Sequence, residues 1–196
     1  MKVLQNRFLM ISIAIMLFMA ATRFNHFGSS VVLPDASWAL YFLAGMYLGR
    51  MRAALLFFIA LTLEAILIDY YAIATRGVSD WCVTNAYGFM IFTYAALWYG
   101  GRWFARHHTY TVKSLLGLFT TVAVASLAAF VISNASFYLF SGRYANMSAA
   151  DYAVSVVQYL GSYVIVAVMY VAVAVAIEMS AQLILKGRSD QNTRPV

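Results

Sequence analysis

The chain carries a single cysteine, Cys82, inside the stretch Gly77-Val-Ser-Asp-Trp-Cys-Val-Thr-Asn-Ala-Tyr-Gly88. One thiol makes neither an intramolecular disulfide nor a Cys-x-x-Cys redox pair. Two roles are open to it. As a thiolate it is a soft ligand for a metal centre. As a thiol it is a small apolar filler, because free cysteine is among the most buried residue types. The stretch lies between two strongly apolar segments, which sets it at a membrane surface.

Other residues with chemistry to offer collect on the same side. His26 sits in the loop Phe24–Asp35, where a lone histidine is either solvated or a ligand contact. Asp69, followed by Tyr70 and Tyr71, places a carboxylate under the mouth of the next loop. Glu64 falls nearer mid-membrane, where a carboxylate is costly and is either hydrogen-bonded and protonated or part of a proton path. Five residues separate Glu64 from Asp69, so the two point to different faces of a helix and form no shared dyad. No basic residue is expected at their depth. Asn85 is a candidate helix cap, and Tyr87 follows it. Ser133, Asn134, Tyr138 and Tyr144 bring polar and aromatic groups to the end of a later apolar segment. Gly-x-Ser-x-Gly, His-Glu-x-x-His and P-loop patterns are absent from the sequence.

The elements that position these groups follow from composition. Of the 196 residues, 64% are hydrophobic and 10% charged, against about 25% charged in an average soluble chain. The class is an all-α integral membrane protein with one domain, residues 1–186, and a polar tail, 187–196, expected to be disordered. Six candidate spans run from Phe8 to about Arg23, Ala36 to Gly49, Ala53 to Ala74, Asn85 to Phe104, Val112 to Tyr138 and Tyr152 to Leu185. The first has Lys2 and Arg7 ahead of it, but Met19-Ala20-Ala21 lacks the spaced small residues of a cleavage site, so it is read as a retained helix. The second carries Gly45-Met-Tyr-Leu-Gly49, a spacing that lets helix backbones approach. The last is too long for a bilayer and must tilt, kink or project. His107 and His108, adjacent in a basic aromatic loop, face apart and suit an interfacial anchor better than a metal.

Charge sets the expected orientation. Of the 13 Lys and Arg, ten (Lys2, Arg7, Arg50, Arg52, Arg102, Arg106, Lys113, Lys186, Arg188, Arg194) fall on one side and three (Arg23, Arg76, Arg143) on the other. Both termini are therefore expected in the cytoplasm, with Cys82 outside. The net charge of +6 has no basic stripe with interleaved aromatics, so no nucleic-acid partner is expected. Because the polar ends of helices three to six share the outer side, a pocket open to that side is expected to hold Asp69, Asn85, Tyr87 and Asn134.

Six short helices with an outward polar pocket resemble the substrate-binding S-components of energy-coupling-factor vitamin transporters. The stretch Asp80-Trp-Cys82-Val-Thr-Asn85-Ala-Tyr87 is similar to that of the solitary cobalamin-specific members, the BtuM type, with the Ser133-Asn134 and Tyr144 regions in support. The resemblance implies a multi-pass protein of the cytoplasmic (inner) membrane that takes up cobalamin. It implies Cys82 as the axial ligand of the corrin cobalt and as the group linked to cyanide removal from cyanocobalamin. The cofactor-binding residues implied are His26, Asp69, Asn85, Asn134 and Tyr144, with Trp81, Tyr87, Phe137 and Tyr138 covering the ring and Asn, Ser and Tyr groups at the outer ends meeting the corrin amides. Ala14, Ala20 and Ala21 lack the Ala-x-x-x-Ala spacing that docks many S-components to a shared transmembrane subunit. A solitary protein without a dedicated ATPase module is the expectation that follows. Two other readings stand beside it: an S-component for another small nutrient, and a membrane assembly subunit with no small ligand.

Overall fold

The computed structural model describes residues 2–23, 33–107 and 112–192. Their secondary structure is helical throughout, with no strand among the described residues. Six α-helices follow in order: α1 (Lys2–Arg23), α2 (Ser37–Leu48), α3 (Ala54–Arg76), α4 (Met90–His107), α5 (Val112–Phe140) and α6 (Ala149–Asn192). A short 3-10 helix, Asn85–Phe89, leads into α4. Three helical stretches, Ala54–Arg76, Ser114–Phe140 and Ala149–Ile184, are long and apolar enough to cross a membrane. Their outward faces are apolar, with Leu55, Leu56, Leu63 and Leu67 on α3 and Val154, Ile165 and Ile177 on α6 exposed. Apolar surface on that scale belongs against lipid rather than water.

The shortest helix is the centre of the fold. α2 has 12 residues, ten of them buried, and a helix apolar all round is one buried all round. Its partner is α4, and glycines let the two backbones touch. A Cβ on Gly45 would collide with the Trp98 carbonyl, and one on Gly101 with the Phe42 carbonyl. The Gly45–Gly49 spacing therefore packs α2 inside the bundle. Aromatic rings fill the seam: Tyr41 stacks on Tyr94 with centroids 4.0 Å apart, and Phe58 meets Trp98 edge-on at 5.4 Å.

Two boundaries differ from the sequence expectation. Asn85 is the first residue of the 3-10 helix and not a cap; Thr84 caps it, its Oγ1 accepting from Ala86 N at 3.2 Å. Thr84 has the extended backbone a cap needs, which residue type alone did not decide between two neighbours. α6 runs unbroken to Asn192, so the tail expected to be disordered from Gly187 begins as helix. Its 44 residues extend about 66 Å at the helical rise. That length exceeds a hydrocarbon core of about 30 Å.

Candidate functional site

Because α1 to α6 alternate in direction, the ends of α1, α3 and α5 meet the starts of α2, α4 and α6 at one end of the bundle. A cavity of about 360 Å³ opens there. Of the residues expected there, Cys82, Asp69, Tyr87, Ser133, Asn134 and Phe137 line it together. The others do not. Asn85 is exposed on the 3-10 helix, outside the lining. Trp81 is turned away beneath Arg143, Tyr138 donates to the Met147 carbonyl at 2.9 Å, and Tyr144 packs behind the wall against Phe137 and Tyr152. His26 lies outside the described residues.

The floor is a buried ion pair. Arg23 Nε donates to Asp69 Oδ1 at 2.8 Å and Nη2 to Asp69 Oδ2 at 2.7 Å, with the Arg23 side chain 3% exposed and that of Asp69 7%. Arg23 Nη1 donates to Ser37 Oγ at 2.8 Å, and Ser37 Oγ in turn to Asp35 Oδ1. Tyr87 Oη donates to Asp69 Oδ2 at 2.7 Å. This overturns the expectation that Asp69 has no basic residue at its depth. α1 stays helical through Arg23, and the long side chain reaches between α2 and α3 instead of out into the loop. Two parallel hydrogen bonds between a guanidinium fork and a carboxylate make the strong form of this contact. One network thereby ties α1, α2, α3 and the 3-10 helix that leads into α4 under the cavity.

Cys82 sits at the rim. The residue is exposed, which removes the buried-filler reading. It follows α3, which ends at Gly77 with φ +65°, a left-handed conformation that glycine adopts freely. A tight turn then presents the thiol, with Val83 N bonded to the Asp80 carbonyl at 2.8 Å and Thr84 N to that of Cys82 at 3.1 Å. Arg143, from the α5–α6 connection, clasps this turn. Its guanidinium lies 3.8 Å from the Trp81 ring centroid, and its Nε donates to the Trp81 carbonyl at 3.1 Å. The cavity wall partly shields the thiol. That burial pushes it above its ordinary range; Arg143 draws it down, and Asp69 adds to the rise.

The walls are aromatic. Trp38 at the start of α2 stacks on Tyr163 of α6 at 4.6 Å, and Phe130 meets Tyr163 edge-on at 6.0 Å. Asn134 is held by its Nδ2–H to the Phe130 carbonyl at 2.9 Å and by Tyr152 Oη, which donates to its Oδ1 at 3.2 Å. Arg23, Trp38, Tyr159 and Tyr163 are lining residues that the sequence reading left out of the site. A signal was present for the last two: Tyr152, Tyr159, Tyr163 and Tyr170 recur at steps of seven, four and seven along α6, the spacing of one helix face. Glu64 is outside the lining, and its buried Oε2 has no hydrogen-bond partner.

Chemically, the site combines one accessible soft donor, a charge-paired polar floor and flat aromatic walls. Among the described residues no three His, Cys, Asp or Glu side chains gather to hold a metal ion. The chain matches no protein-family model, and no curated protein aligns with it significantly.

Proposed function

We propose that this protein binds a corrinoid, vitamin B12, at the Cys82 cavity and carries it across the cytoplasmic membrane. The observation that carries the reading is the placement of Cys82: an exposed thiol on the rim of an aromatic-walled cavity with a polar floor. A single sulfur is a poor cage for a bare ion. It suits a cobalt already held in plane by a macrocycle and lacking one axial partner. Metal bonding also favours the thiolate over the thiol, offsetting the upward push of burial. A corrinoid exceeds about 360 Å³, so in this reading the ring lies across the mouth, with its lower face toward Cys82. Corrin amides would find Asn134 and Tyr87 below and the Arg143–Trp81 clasp at the rim. On this reading the chain spans the membrane six times, with both termini in the cytoplasm, and serves as a solitary S-component-like protein. Removal of cyanide from cyanocobalamin at Cys82 belongs to the same reading.

The test is optical. Wild-type protein and Cys82→Ala, each loaded with the same corrinoid, are compared by visible absorbance. Removing the axial sulfur is expected to move the cobalt bands, while the ring retains most of its apolar contact and binding persists. Cys82→Ser is expected to match Cys82→Ala, since a hydroxyl is a poor soft-metal ligand. Cyanide loss from bound cyanocobalamin is expected to stop in both. Identical spectra and equal cyanide loss in all three proteins would sink the axial role. A second reading draws on the cavity volume, which lies toward the low end of the roughly 300–1,000 Å³ of small-ligand sites. A smaller flat nutrient fits wholly inside, leaving Cys82 a bystander. That reading expects no corrinoid to copurify or bind.

A further inference from the structure

The end of the bundle opposite the cavity carries a cluster that the proposed transport does not use. Arg50 and Arg52 lie in the α2–α3 turn, and Arg102 and Arg106 in the last turns of α4. Contacts bring the two elements together. Arg50 Nη2 donates to the Ala105 carbonyl at 3.0 Å. The stem of Arg102 crosses the end of α2 at Gly49, where a Cβ would stand 3.1 Å from Arg102 Cγ. Arg102 and Arg106, four residues apart, share one face of α4. Among the described residues no carboxylate pairs with any of the four arginines. Arg102 Nε is buried and has no hydrogen-bond partner. A buried guanidinium N–H left open is costly and asks for an acceptor. Beside it Trp103 is half exposed and stacks on His107 at 4.9 Å, the amphipathic aromatic placement of a headgroup layer.

We propose that the α2–α3 turn and the end of α4 form a binding site for an anionic phospholipid, its headgroup phosphate held by Arg50, Arg102 and Arg106. Guanidinium forks match phosphate oxygens in geometry and charge. A lipid is favoured over a free anion because α3 beside the turn exposes Leu55 and Leu56, 68% and 70% accessible, which acyl chains cover. Arg52 adds charge to the turn. Basic pockets between helices at a membrane surface are suited to this class of ligand.

The full-length protein in a neutral detergent is titrated with phosphatidylglycerol, phosphatidylcholine or inorganic phosphate. Bound lipid is read by native mass spectrometry, and the unfolding midpoint by a thermal ramp. Phosphatidylglycerol is expected to bind and to raise the midpoint, with neither effect from phosphatidylcholine or phosphate. Arg102→Gln with Arg106→Gln is expected to weaken phosphatidylglycerol binding about thirtyfold, two surface cations having been removed. Arg143→Gln, at the other end, is expected to leave it unchanged. Should the double variant fail to fold, Arg50→Gln alone is expected to weaken binding several-fold. Equal binding of phosphatidylcholine, equal stabilisation by free phosphate, or undiminished binding in the variants would overturn the proposal.

Discussion

At the scale of single residues, the Arg23–Asp69 pair is where the structure has most at stake. Each charge is buried because the other is there. Removing Asp69 leaves Arg23 only its 4.0 Å ion-pair contact with Asp35, and breaking a buried pair costs about 3–5 kcal/mol. Asp69→Asn is therefore expected to lower stability by that order in a denaturant titration in detergent, and the Tyr87 hydroxyl loses its charged acceptor as well. Arg23→Leu combined with Asp69→Leu is expected to recover much of the loss, because a matched apolar pair carries no desolvation penalty. A loss below about 0.5 kcal/mol in Asp69→Asn would place it with ordinary surface changes and contradict the pairing. The sequence made Asp69, Tyr87, Asn134 and Cys82 legible as a group, since each stands at the same end of its helix. It hid Arg23, whose value in a charge count concealed its reach as a side chain. Nothing in a one-dimensional reading says which way a long cation at a helix end will turn.

Among the elements, α2 and α4 form the rigid centre, and the glycines at their contact are the most sensitive positions. Gly45→Ala drives a methyl group into the Trp98 carbonyl. Backbone cannot step aside as a flexible side chain can, so a loss of about 1–3 kcal/mol is expected. Gly161→Ala on α6, where a Cβ meets nothing within 4 Å, is the control and is expected to be neutral or stabilising. The thermal midpoints of the two variants are to be compared; equal shifts would refute close α2–α4 contact. Hydropathy located all six helices to within a few residues at most ends. It set the α4 entry less well, because Thr84 and Asn85 have similar capping chemistry and only the backbone separates them. It also cut α6 short, since polarity after Lys186 marks a helix leaving an apolar environment as readily as a helix ending.

For the whole molecule, the alternation of six helices is what gathers the polar ends into one cavity and the arginines at the other end. Charge asymmetry predicts that the cavity faces away from the cytoplasm. Reporter fusions after Lys186 and within the loop around Arg143 are expected to report opposite sides, the first cytoplasmic and the second external. A cytoplasmic signal from the Arg143 fusion would reverse the proposed direction of uptake. Hydropathy made this alternation legible, whereas the depth of the cavity depends on ring packing among Trp38, Phe130 and Tyr163, which come from three helices distant in sequence.

The clasp between Arg143 and Trp81 has a kinetic meaning. It joins two connections that would otherwise fluctuate separately, so both sides of the mouth already share one geometry before anything arrives. The entropy of ordering those segments is surrendered when the chain folds and is not charged again at each encounter. Cutting the clasp, as in Arg143→Ala, therefore lets the two rims drift apart between visits. On the proposed reading, a ligand then meets a threshold that must be rebuilt around it, and its entry is expected to slow even where its final grip is little changed.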